Sequence, residues 1–116
     1  MAIFSACALP GVAYAQASFV DGNTLKGWSD AAERVARNGS DAQDFLDAGK
    51  YLGYVSAVSD TWEGIFVCSP GRVLLRQMTA VVDNFLKAHP ERWSESGAQV
   101  VRVALSEAFP CPTNDP

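Results

Sequence analysis

Apolar residues recur along this chain at spacings of three and four, and no stretch of any length alternates in the two-residue rhythm of a strand. Four helices are predicted. The first runs from about Thr24 to Arg37, with Leu25, Trp28, Ala32 and Val35 on one stripe and Asn23 or Thr24 as its cap. Asn38-Gly39 can take the left-handed conformation that ends a helix, and Ser40 with Gln43 three residues on has capping-box spacing to start the next. Helix two, about Asp41 to Val58, places Phe45, Ala48, Leu52 and Val55 on one face. Helix three, about Arg72 to Ala88, carries Leu74, Met78, Val81, Val82, Phe85 and Leu86 in the i, i+4, i+7, i+8 pattern and stops at His89-Pro90. Helix four, about Gly97 to Phe109, starts at Ser96 with Gln99 in capping-box spacing, buries Val101, Ala104, Leu105 and Ala108, and stops at Pro110. The expected fold is all-α, a small four-helix domain.

Two features stand out against this pattern. Gly49 and Gly53 lie one turn apart in helix two beside Tyr51 and Tyr54, and a glycine in a helix interior costs about 1 kcal/mol. Either another helix or a second subunit approaches closely at Gly49, Gly53 and Tyr54, or the fold tolerates them. The second feature is the irregular stretch "SDTWEGIFVCSPG", which has no helical stripe to bury.

The first seventeen residues hold no charge and end in overlapping small-x-small sites, Ala13-Tyr14-Ala15 and Ala15-Gln16-Ala17. They read as an export signal cleaved near Ala15 or Ala17, although no Lys or Arg precedes the apolar run. Residues 18–116 form a single domain on this reading, periplasmic after export. Cleavage removes Cys7 and leaves Cys68 and Cys111, an even number in an oxidising compartment. The short polar link "HPERWSES" makes helices three and four an antiparallel hairpin, in which the start of one lies beside the end of the other. Cys68 just precedes helix three and Cys111 just follows helix four, so a disulfide is expected to close the open end of the hairpin. Loop-closure entropy puts its worth at roughly 4 kcal/mol.

Composition narrows the function. A chain of 116 residues offers one modest core, and a net charge of -4 with no basic cluster disfavours a nucleic-acid partner. No other segment is apolar enough to span a bilayer. The single histidine, His89, stands at a helix C-terminus with no cysteine pair or acidic cluster beside it, so no metal or other cofactor is expected. Phosphate-cradling glycine loops and nucleophile motifs are absent from the sequence, and the carboxylates of Asp41, Asp44 and Asp47 read as a solvated helix face. Nothing in these residues marks an enzyme.

One combination of residues is more telling. Gly53-Tyr54, Asp60, Cys68 with a proline following, Gln77, Val81-Val82, Leu86, His89-Pro90-Glu91 and the terminal "ALSEAFPC" span about sixty residues in a fixed order. In these features the chain resembles the Tai (Rap-type) family of periplasmic immunity proteins, which protect bacteria from cell-wall amidase toxins delivered by type VI secretion. The pattern usually carries a further cysteine pair and a threonine near the start of helix three; here Trp28 and Tyr51 stand in the cysteine places and Leu74 or a neighbour in the other. The resemblance implies a homodimer that docks on a papain-like amidase and covers its Cys-His site. The rival reading is an exported structural or adaptor protein of the same fold, without a toxin partner.

For the binding surface, the residues from Ser59 to Phe66 are the candidates. Their base is anchored by helix two and the disulfide, and Trp62 and Phe66 flank a carboxylate, the composition of an interface hot spot. Asp60, Trp62, Glu63 and Phe66 are therefore expected to meet the partner, unless the two aromatics fold under as core cover.

Overall fold

The computed structural model describes residues 18–113, so the proposed export segment, residues 1–17, lies outside the described residues. Four α-helices and one short 3-10 turn account for the architecture: α1 (Gly22–Ala36), α2 (Ala42–Trp62), α3 (Leu75–Ala88), the 3-10 turn Pro90–Arg92 and α4 (Gly97–Ala108). The all-α, four-helix expectation holds. Asp21 caps α1 by accepting from the Thr24 amide at 2.8 Å, and Asp41 caps α2 by accepting from Asp44 at 2.9 Å. Each displaces the expected cap: for α1 the aspartate upstream of Asn23 and Thr24 takes the free amide, and for α2 the aspartate one residue after Ser40 does. Ser96 caps α4 through the Gln99 amide, as expected. Asn38 sits at φ 63° after α1, and the Gly39 amide closes the turn on the Arg34 carbonyl.

The core gathers one stripe from each helix, with Leu25, Val55, Val82, Leu86, Val100, Val101 and Leu105 almost fully buried. On α2 the buried stripe is Ala48, Tyr51, Val55, Val58 and Ser59, while Phe45 and Leu52 are 60% and 41% exposed. The helix is thus turned by about 50° from the expected face at 100° per residue. Tyr51 accounts for the turn: its hydroxyl donates to the Thr79 carbonyl at 2.6 Å, so an aromatic with a satisfied polar tip fills the core in place of two flanking apolar residues. Burial pushes the Tyr51 phenol up, which keeps it a neutral donor. Trp28 meets Tyr54 edge-on at 6.1 Å, with the Lys50 ammonium 5.7 Å from the indole. Trp28 on α1 and Tyr51 on α2 thus both pack into or against the core.

A polar clamp ties α1 to α3. Buried Ser29 donates to Asp83 at 2.5 Å, and Lys87 pairs with Asp83 at 2.8 Å and with Glu33. Burial pushes the Asp83 carboxyl up, but the hydrogen bonds from Lys87 and Ser29 more than offset it and hold the group below the usual carboxylate range. A depressed carboxylate contributes its stability in full above its unfolded pKa and loses it as the pH falls through the folded one. Asp83→Asn is therefore expected to lower the melting temperature at pH 7, and the gap to the wild type should shrink as the pH drops below about 4. Thermal melts of both proteins from pH 7 to pH 3 check this; a constant gap would assign the effect to packing.

Two clasps close the bundle. Cys68 and Cys111 form the expected disulfide across a separation of 43 residues, with Cα atoms 4.8 Å apart, and the Cys68 amide donates to the Phe109 carbonyl at 2.9 Å. At the other end, residues 20–23 run beside the loop at 93–97. Gly22 and Asn23 donate to the Glu95 and Trp93 carbonyls, both at 2.8 Å, and Gly97 donates to Val20 at 2.7 Å. Trp93 locks this loop by donating its indole N–H to the Leu86 carbonyl at 2.8 Å.

Candidate partner-binding surface

Helix α2 continues four residues beyond its expected end, so Asp60 and Trp62 belong to its last turn. The pattern continues with them: Val55, Val58, Ser59 and Trp62 share the inward face, and Trp62 is half-buried against the core. The chain then reverses tightly. The amides of Ile65, Phe66 and Val67 all point at the Trp62 carbonyl, at 3.0 to 3.2 Å, and Gly64 at φ 81° donates to Val67 at 2.7 Å. That left-handed φ suits glycine. Val67 drops fully into the core, and the residues before it are forced outward, leaving Ile65 60% and Phe66 45% exposed.

The base of this turn is fixed from three sides. Glu63 accepts from both the backbone amide and the hydroxyl of Ser69, each at 2.9 Å. The disulfide at Cys68 follows at once. Phe66 packs edge-on against Trp62 at 5.1 Å. Of the four residues expected to meet a partner, then, Phe66 presents an exposed ring, Trp62 supports it from beneath, and Glu63 has its carboxylate committed to holding the turn. Asp60 is exposed and shares with Glu63 the rim of a cleft of about 550 Å³ whose walls include Ser56, Ser59, Arg72, Leu74 and Met78.

That cleft exists because α3 begins three residues later than expected. Pro70 and Gly71, the latter at φ 58°, hold residues 68–74 away from helix, and Gln77 reaches back to accept from the Leu74 amide at 2.7 Å, fixing the start of α3 at Leu75. Gly49 and Gly53 face open space: a Cβ built on either meets nothing within 4 Å. Within the protomer no neighbouring helix requires them, and Tyr54 lies half-buried near the α4 N-terminus instead.

Arg102 is a residue that sequence reasoning missed. From α4 its guanidinium lies 4.9 Å from the centre of the Phe66 ring and 5.9 Å from that of Trp62. A lone arginine on a helix carries no periodic signal for such a contact.

Among the described residues there is no cluster of three His, Cys, Asp or Glu side chains able to hold a metal, and no helix long and apolar enough to cross a membrane. His89 forms the C-cap of α3 and pairs through Nδ1 with Glu91 at 2.9 Å. Several of the residues that carried the family resemblance thus hold the fold itself: Gln77 caps α3, Leu86 is buried, and the two cysteines clasp the hairpin.

No curated protein matches the chain. A family model does match, that of the Rap1a immunity proteins, over residues 21–111. That span takes in all four helices and both disulfide cysteines, and the chain belongs to the Rap1a immunity protein family.

Proposed function

We infer that this protein is a periplasmic antidote that binds a cell-wall amidase delivered by type VI secretion and covers its Cys-His site. The chemistry belongs to the toxin; the antidote contributes a rigid, complementary surface. Family membership supports the class of activity. The observation that carries the rest of the reading is the turn at residues 63–67, where Ile65 and Phe66 are exposed while the backbone behind them is fixed by Glu63, Ser69 and the disulfide. A surface ordered before contact loses little conformational entropy on binding, and an exposed aromatic on such a surface is the usual form of a binding hot spot. Asp60, on the cleft rim beside this turn, is placed to meet polar groups of the same partner. Export by the segment ending near Ala15 or Ala17 brings the antidote to the compartment where an amidase would act.

The reading includes a homodimer, for which the outward stripe of Phe45, Gly49, Leu52 and Gly53 on α2 is the proposed contact. Its small and apolar side chains would let two helices approach closely.

Phe66→Ala is the cleaner test of the binding surface, because Trp62 also contributes to the core. It is expected to weaken binding to a papain-like cell-wall amidase effector by more than about 2 kcal/mol, and to leave the melting temperature within a few degrees. Trp62→Ala should lower both. Titration calorimetry and thermal melts on the same preparations check the pair; undiminished binding by Phe66→Ala would remove the turn from the interface. Loss of protection in cells that export the amidase should track the loss of affinity.

A further inference from the structure

We propose that Arg102 is a recognition residue for a carboxylate of the partner, an inference that rests on the antidote reading above. Its guanidinium is held against the exposed Phe66 ring at 4.9 Å and near Trp62 at 5.9 Å, so it stands on the same face as the turn. A guanidinium has five N–H donors. Here one nitrogen donates to Gln99 at 3.1 Å, on the same helix, and no carboxylate of the described residues lies within ion-pair distance. The nearest acidic residue along the turn, Glu63, is occupied by Ser69. Arg34 is paired with Asp44 and Arg92 with Glu95, and Arg37, Arg72 and Arg76, which have no ion pair among the described residues, stand over no aromatic ring as Arg102 does.

The charge at Arg102 is therefore both pre-oriented and uncompensated, on a chain whose net charge is -4. Aromatic faces fix the plane of the guanidinium while leaving its N–H edge open, which is the geometry for two parallel hydrogen bonds to a carboxylate. The exposed Phe66 ring lines the approach. The partner surface that fits is an Asp or Glu side chain flanked by apolar residues. Such a contact also adds specificity, since an amidase presenting a cation at that point would be repelled.

Binding of a purified papain-like cell-wall amidase effector to wild type, Arg102→Gln and Arg102→Glu, measured at low and high salt, tests this. Arg102→Gln is expected to weaken binding about tenfold or more, and Arg102→Glu by about a further tenfold at low salt, with that extra loss shrinking as salt is added. All three proteins should melt within a few degrees of one another. Equal binding by wild type and Arg102→Gln would overturn the assignment of Arg102 while leaving the antidote reading intact. Equal losses in the Gln and Glu variants would show that the facing group is not a carboxylate. Failure of the wild type to bind would overturn the antidote reading, and this inference with it.

Discussion

Replacing Cys111 with serine is expected to lower the melting temperature by about 10–25 °C. The bond spans 43 residues, and removing a cross-link of that size returns about 4 kcal/mol of chain entropy to the unfolded state. A domain of this length shifts by about 4–8 °C per kcal/mol, and delivered values usually fall short of the entropy limit. The loss is also local. Cys68 ends the turn whose exposed face is the proposed interface, and its amide is bonded to Phe109 just beyond α4. Without the bond, the middle of the segment from Val67 to Leu74 keeps that amide and the Glu63–Ser69 pair, while its ends keep the buried Val67 and the Leu74–Gln77 hydrogen bond. Circular-dichroism melts of the variant, beside wild type with and without reductant, measure the effect. The reduced wild type should match the variant; a melting temperature unchanged in both would show that helix packing alone holds the hairpin.

Gly22→Ala is expected to destabilise the domain by about 3 kcal/mol, whereas Gly49→Ala and Gly53→Ala should each stabilise the protomer by up to about 1 kcal/mol. The three glycines are alike in sequence terms and opposite in space. A Cβ on Gly22 would stand 2.7 Å from both the Cα and the carbonyl oxygen of Trp93, and backbone cannot swing aside as a flexible side chain can. Relieving the clash means separating α1 from the 93–97 loop and losing the hydrogen bonds of Gly22 and Asn23 that join them. Gly49 and Gly53 meet open space, so alanine there adds only helix propensity. Chemical denaturation of the three variants gives the comparison, and the Gly49 and Gly53 variants carry a second result. If two copies pair through that stripe, alanine should weaken the dimer in sedimentation experiments while strengthening the single chain.

The helices were legible in the sequence because each buries a stripe, but their ends and faces were less so. Polar runs such as Asp21–Thr24 and Ser40–Asp44 offer several oxygens that could cap, and which one does depends on where the first free amides point. The end of α2 was missed because Ser59, Asp60 and Thr61 look like a loop, although Val58, Ser59 and Trp62 continue the inward face. Tyr51 was missed as a core residue because its fitness for burial depends on the Thr79 carbonyl, twenty-eight residues away. The pairing of Cys68 with Cys111 was readable from the hairpin alone, since it follows from the order of elements. The site was harder. Residues 59–66 are anchored at both ends as expected, but 59–62 form the last turn of α2 rather than irregular chain, and which side chains face outward is decided by the turn at Gly64 and the burial of Val67. Arg102 joins them only through the packing of α4.

The two clasps also set the order in which the domain can be completed as it is made. One joins residues 20–23 to 93–97, and the other joins Cys68 to Cys111. Synthesis proceeds from the N-terminus, so the first partner of each clasp waits for one at least 43 residues further along the chain. Until then Gly22 and Asn23 lack their carbonyl acceptors, Cys68 lacks its thiol partner, and the core lacks the α4 side chains Val100, Val101 and Leu105. A growing chain of this kind cannot close its core until α4 has been made. The final covalent step then depends on the oxidant it meets afterwards.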